Sequence, residues 1–540
     1  MVKKYVFGTP IETDAVVKEI KETSWKDDIF QKEGNVFHYL LKTDEIVYGL
    51  GENVRGINKR GWRYVSNCSD NPNHCEHTNS LYGAHNFIMM GDGVSETYGL
   101  FVDTPGTVTF DVGYTDIDRL IIAMENENYK IYLIEGQTYQ DVVREFREMI
   151  GRSYIAPKWA FGYGQSRWSY ETADEVREVV REYRKRDIPI DSIYLDIDYM
   201  ERYKDFTINR DSFADFENLV EEMKKENIHL VPIIDGGVKK EDGYDVYEEG
   251  KENGYFCKDE NGEDFVIGVW PGKCCFPDML NDEARRWFGD KYRILIDKGI
   301  DGFWNDMNEP ASFHGELPSD VVFTDEDQKS THAAMHNVYG HLMSRATYEG
   351  LKEQTGKRPF VITRACYAGS QKYTTVWTGD NQSLWSHLQM AVPQLCNLGL
   401  SGMAFAGTDV GGFGADCTAE LLSRWVQVGA FSPLFRNHSS NGSIYQEPWQ
   451  FGEKTVNIYR KFVELRYRLL PYLYDLFAEC EKTGLPIMRP LVLHYEKDEN
   501  TWNLNDEFLV GEHLLVAPVL EQGQTKKMVY LPEGIWYDFN

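Results

Sequence analysis

The period of the apolar positions divides the chain into two unlike parts. Up to residue 157 they form short runs rich in β-branched and aromatic side chains: Val36 to Thr43, Glu96 to Thr104, Thr107 to Gly113, Arg119 to Glu125 and Tyr129 to Glu135. Pro105-Gly106 separates two of these runs as a turn. Several short strands at this spacing predict an N-terminal β-sandwich over residues 1–157. A helix is expected over Tyr139 to Ile150, leading out through Pro157. The polar stretch from Tyr64 to Tyr82 has no period and reads as a long loop, the kind of segment that often carries function.

From Trp159 onward, apolar runs alternate with helical periods. Strands are predicted at Trp159 to Gly164, Ile190 to Ile197, His229 to Ile234 and Ile300 to Trp304. Four more follow at Pro359 to Thr363, Thr374 to Trp377, Gly402 to Ala406 and Ala430 to Leu434. Between them lie helices. Thr172 and Glu175 form a capping-box pair ahead of Val176, Val179, Val180 and Tyr183. Phe216 to Lys225 reads as a second helix; Phe288, Tyr292 and Leu295 mark the inner face of another, ended by Gly299. About eight β/α units over roughly 300 residues predict a (β/α)8 barrel with insertions, over residues 158–482. An open doubly wound sheet is the alternative, but no Gly-rich phosphate loop accompanies it.

Phe462 to Phe477 is a strongly apolar helical stretch that Pro471 is expected to kink or end. Residues 483–540 turn β again, with strands expected at Phe508 to Val510, His513 to Leu520 and Lys526 to Leu531. The pattern stops at Ile535 to Asn540 as an incomplete C-terminal β domain, whose open edge would favour self-association into a homo-oligomer.

Composition narrows the partners. The formal charge of −29 argues against a nucleic-acid partner, since phosphate binding needs a basic surface. No apolar secretory core follows Met1 to Tyr5, and the longest apolar region, Met390 to Gly407, is interrupted by Pro393, Gln394 and Asn397. That region reads as a buried helix and strand, not a membrane span. With 9 scattered cysteines, the expectation is a reduced cytoplasmic protein. Cys68, His74, Cys75 and His77 lie close together, but in no common zinc spacing.

The candidate chemistry lies where a barrel requires it, just past the C-terminal ends of strands. Those positions hold Trp168, Asp196 with Asp198, Asp235, Asp306, Arg364, Asp380, Asp409 and His438. Any one could be a loop residue or cap. Nearly every strand ending in an aspartate, arginine or histidine describes a polar pocket for a hydroxyl-rich ligand. Asp235 is expected to support strand packing, and Glu309 to cap a following helix. No Ser-His-Asp arrangement stands out, so paired carboxylates are the available catalytic resource, as in a retaining glycosidase. Trp377 near Asp380 would supply an apolar wall that keeps an acid protonated. Asp196 and Asp198 could instead hold a metal, as in a nucleotide-sugar transferase, but no nucleotide-binding region accompanies them.

The segment WNDMNEP at 304–310 resembles the signature of glycoside hydrolase family 31, the α-glucosidases and their relatives. The resemblance extends in order through YGLGE (48–52), GQSRWSY (164–170), LDIDYM (195–200), VWPG (269–272), TRACYAG (363–369), WTGDN (377–381), GTDVGGF (407–413) and FRNHSS (435–440). It implies a metal-free, cofactor-free retaining enzyme acting on small oligosaccharides, with Asp306 as nucleophile and Asp380 as general acid/base. By the same resemblance Asp196, Arg364 and His438 bind the sugar, Asp409 supports the pocket, and Asp70 reaches over the barrel mouth. Trp304, Met307, Trp270, Trp377, Ile197, Ile233 and Phe413 match apolar walls. Trp168 matches an aromatic beside the aglycone, compatible with isomaltose-type as well as maltose-type linkages. An α-xylosidase or other α-glycosidase on the same scaffold is the alternative; the presence of both Asp306 and Asp380 argues against a sugar-binding protein without turnover.

Overall fold

The computed structural model describes residues 1–26, 28–325 and 328–539. Asn540, the last residue of the terminal run, lies outside the described residues. The N-terminal part holds two five-stranded antiparallel sheets. One orders Val2–Phe7, Tyr129–Gly136, Thr97–Asp103, Phe87–Gly91 and Ile46–Gly49; the other orders Gln31–Glu33, Val36–Leu40, Arg119–Met124, Val108–Val112 and Trp62–Ser66. Val47, Ile88, Leu100 and Ile131 of the first sheet meet Phe37, Phe110 and Ile122 of the second in one apolar layer. The outer face of the first sheet is also buried. Phe87 stacks on Phe146 of the helix Tyr139–Ile150 at 3.7 Å, and Tyr48, Met89 and Tyr132 join the main core shared with the barrel. The expected loop from Tyr64 begins inside the strand Trp62–Ser66 and is irregular only after it.

The parallel sheet of the barrel runs through Gly164–Gln165, Ser192–Leu195, His229–Asp235, Gly302–Asp306, Phe360–Thr363, Thr375–Trp377 and Ala406–Gly407. It closes through a split seventh strand. Ala406–Gly407 pairs with Thr375–Trp377, while Asp409–Val410, one residue on, pairs with the eighth strand, Arg436–Asn437. Three strands begin later than the apolar runs suggested, the seventh only at Ala406, the last residue of the run Gly402 to Ala406. Lys158–Phe161 is a 3-10 turn ahead of a two-residue first strand, and Ala430 to Leu434 is a helix end and turn ahead of the eighth. In both places the apolar run packs under the barrel while the strand itself carries buried polar residues, Gln165, Arg436 and Asn437. Thr172 caps its helix by accepting from the Glu175 N–H, but the Glu175 carboxylate turns to the Glu171 N–H, so only half the capping box forms.

The helix Glu453–Thr483 continues through Pro471 instead of ending there. Pro471 lies on the solvent side, where water can satisfy the carbonyl that loses its donor. Pro471→Ala is therefore expected to raise unfolding stability by about 1–3 kcal/mol, measured by chemical denaturation. The C-terminal strands are Met488–Arg489, Phe508–Val510 and Leu514–Val516; the run Lys526 to Leu531 forms none. That run, two lysines followed by Met528, Val529, Tyr530 and Leu531, pairs with no strand among the described residues. Among these residues no helix is long and apolar enough to cross a membrane. The Met390 region is the helix Trp385–Leu400 followed by the seventh strand.

Candidate active site

The C-terminal ends of the barrel strands converge on a small concave pocket of about 70 Å³, partly open to solvent. Asp196, Ile197, Ile233, Asp235, Trp304, Asp306, Met307, Arg364, Asp380, Phe413 and His438 form its wall, with Trp168 and Trp270 at the rim. Parallel pairing accounts for much of the convergence. Asp235 and Asp306 are register partners at adjacent strand ends, and Arg364 follows the next strand directly. After Asp306 the chain turns sharply at Met307, which holds φ +53, and the Met307 N–H donates to the Asp306 carboxylate at 2.7 Å.

Arg364, 2% exposed, is the electrostatic centre. Its guanidinium makes a bidentate pair with Glu309 at 2.7 and 2.9 Å. The same group lies 3.1 Å from Asp306, 3.5 Å from Asp380 and 3.8 Å from Asp70, and stands over the Tyr82 ring. Glu309 thus caps no helix; it is a buried counterion of Arg364. A glutamate facing the arginine at the next strand end was the available signal. Arg364→Met would leave several carboxylates without their shared cation, an expected cost of about 3–5 kcal/mol in denaturant unfolding.

Burial raises the carboxyls here, unevenly. Asp380 is pushed well above the usual carboxylate range by desolvation, against the pull of Arg364 and with repulsion from Asp306. Asp306 is also raised by desolvation, but Arg364, the Met307 N–H and Arg436 hold it down. Asp235 is pushed up to about 8 by burial and by Asp306, and neither of its side-chain oxygens has a partner. Far from merely supporting packing, it faces the pocket, and its N–H is held by Asp205 at 2.9 Å. Asp205 carried no motif that could have marked it.

At the floor, His438 lies 3.7 Å from Asp196 and stacks on Phe413, with Trp304 edge-on. Burial drives His438 well below and Asp196 well above their ordinary values. Both shifts disfavour an ion pair between them. Asp409 and Trp377 lie behind the wall. Asp409 is fully buried and binds Arg436 at 2.7 Å, and Arg436 is sandwiched against Trp304, Trp377 and Tyr194. Asp409 thus reaches the pocket only through Arg436 and Trp304. At the rim Trp168, Trp270 and the exposed Phe313 follow one another edge to face at 4.9 Å. Trp270 is carried there by the small antiparallel sheet of Val238–Lys239, Gly272–Cys275 and Ile267–Val269. Among the described residues no group of three or more His, Cys, Asp or Glu could hold a metal, and all nine cysteines are free.

Comparison with known proteins agrees with this geometry. Residues 10–111 match the glycosyl hydrolase 31 N-terminal galactose mutarotase-like domain, residues 153–476 the family 31 TIM-barrel domain, and residues 484–540 the family 31 C-terminal domain. Alpha-glucosidase 2 of Bacillus thermoamyloliquefaciens is 46% identical over 94% of this chain and 65% of its own length. The chain thus spans less than two thirds of that relative. A family 31 dextranase of Flavobacterium johnsoniae, solved with isomaltotriose, superposes with a TM-score of 0.85 at 32% identity, over 94% of this chain and 64% of its own. A soil-metagenome α-xylosidase of the family, solved with xylose, gives a TM-score of 0.83 at 27% identity, over 92% and 74%. The barrel match covers more than half of the sequence and holds every strand end that builds the pocket, so the chain belongs to glycoside hydrolase family 31.

Proposed function

We propose that the chain is a retaining exo-α-glucosidase that releases glucose from the non-reducing end of short α-linked oligosaccharides. The observation that carries the reading is Arg364 placed between Asp306 and Asp380 in an aromatic-walled pocket. Double displacement needs one ionised and one protonated carboxyl about 5–5.5 Å apart. The cation and the Met307 N–H favour ionised Asp306, the nucleophile, while desolvation favours protonated Asp380. Asp306 attacks the anomeric carbon as the glycosidic C–O bond breaks, and the Asp380 proton goes to the departing oxygen. Asp380 then takes a proton from water, which attacks the same carbon and frees Asp306. In this reading Asp196, Arg364 and His438 bind the glucosyl hydroxyls and Trp168 faces the aglycone. An isomaltose-type substrate is favoured by Trp168 and by the likeness to a dextranase solved with isomaltotriose.

The test is initial rates on 4-nitrophenyl α-glucoside, α-xyloside and β-glucoside, with and without EDTA, and NMR of the first-formed sugar. Selective α-glucoside cleavage, indifferent to EDTA and giving α-glucose first, is expected. β-Glucose as first product would overturn the retaining mechanism. Preference for α-xyloside would move the substrate to that of the α-xylosidase relative, with Ile197, Ile233 and Trp270 as the wall that sets the difference.

A further inference from the structure

A histidine outside the pocket links two loops that carry functional groups into it. His387, buried near the start of the helix Trp385–Leu400, accepts the backbone N–H of Gln382 at its Nδ1, 2.8 Å away. Gln382 stands two residues after Asp380. The opposite ring nitrogen, Nε2, lies 3.2 Å from the backbone carbonyl of His74, and the two imidazoles stack at 4.6 Å. His74 belongs to the N-terminal loop that brings Asp70 to Arg364. Its own Nδ1 donates to the Asn71 carbonyl at 2.9 Å, and the Gln382 side chain donates to the Pro72 carbonyl at 2.7 Å.

These contacts fix the tautomer. An N–H points at Nδ1, so Nδ1 carries no proton; a carbonyl faces Nε2, so Nε2 carries it. A second proton would occupy Nδ1 and break the bond to Gln382. Burial, with His74 alongside, holds His387 down to about 4 and thus neutral near neutrality. Besides His74, the groups facing the adjoining cavity are Arg55, Cys75 and Glu76.

We propose that neutral His387 is a positioning residue that clips the Asp380 loop and the Asp70 loop together across the domain boundary. Through Nδ1 it fixes the backbone after Asp380; through Nε2 it holds the N-terminal loop over the barrel mouth. The half concerning Asp380 rests on the function proposed above. The half concerning the loop does not.

The experiment exploits the two ring nitrogens. Asn at 387 places an acceptor where Nδ1 stood; Gln places a donor where Nε2 stood; Leu supplies neither. His387→Leu is expected to lower kcat about 10- to 100-fold, because a misplacement near 1 Å suffices for that, with KM changed less than about threefold. It should also speed amide exchange across residues 70–80 about tenfold while the helix Glu453–Thr483 stays protected. His387→Asn should restore kcat but leave 70–80 exchanging fast. His387→Gln should restore protection and leave kcat low. The proposal is overturned by a Leu variant with wild-type kcat and wild-type exchange. It is equally overturned by folded Asn and Gln variants that do not separate the two readouts. A wild-type protein that cleaves no α-glucoside would sink the proposed function, while exchange at 70–80 would still judge the clip.

Discussion

Replacing Asp306 with Asn should abolish turnover of every α-glucoside, activated or not, by roughly 10⁴-fold or more in kcat. No neighbouring carboxyl can take over the attack. Asp235 is neutral near neutrality, and Glu309 is held in its bidentate pair with Arg364. The same variant should be more stable than the wild type. Desolvation raises the folded-state value of Asp306 above its ordinary one. Ionisation therefore disfavours the folded state, and the penalty grows as pH rises through the unfolded value and levels off above the folded one. Removing it should add about 0.5–2 kcal/mol at neutral pH, the usual exchange of stability for activity at a catalytic site. Full activity in a folded Asp306→Asn protein would sink the mechanism. A gain in denaturation midpoint with loss of turnover would support both halves.

Asp380→Ala should separate substrates by their leaving groups. Isomaltose and maltose must expel a sugar alkoxide, a poor leaving group, so losing the general acid should slow their cleavage about 10²- to 10⁴-fold. An aryl glucoside with an acidic phenol needs little protonation and should form the glycosyl-enzyme at close to the wild-type rate. The pH profile should change with it. Asp380 must be protonated in the first step, so wild-type activity falls as pH rises through its raised value. That basic limb should vanish in the variant, while the acidic limb, set by the need for ionised Asp306, should stay. Equal losses on both substrate types, with the basic limb intact, would place the general acid elsewhere.

The order of strands and the residues at their C-terminal ends could be read directly from the sequence. Asp306 follows an apolar run, WNDMNEP carries its own signature, and parallel strands place their end residues on one face whatever the loops do. The helix Ala173–Lys185 followed from the spacing of its own residues Val176, Val179, Val180 and Tyr183. Where a strand is buried on both faces, as at Ile46–Gly49 and Phe87–Gly91, the apolar run is continuous and has no strand period to recognise. Where a barrel strand is two residues long and polar, as at Arg436–Asn437, no apolar period marks it.

Only the tertiary structure decided which charges meet. Glu309 pairs with a guanidinium 55 positions away, Asp409 turns from the pocket to Arg436, and His74 stacks on a histidine from another domain. Ion pairs and imidazole contacts depend on distances of a few ångströms between segments remote in sequence, and on burial that no local pattern encodes. The sequence by itself determined the set of groups at the barrel mouth. Packing decided which of them are ionised, which are neutral, and which only hold the others in place.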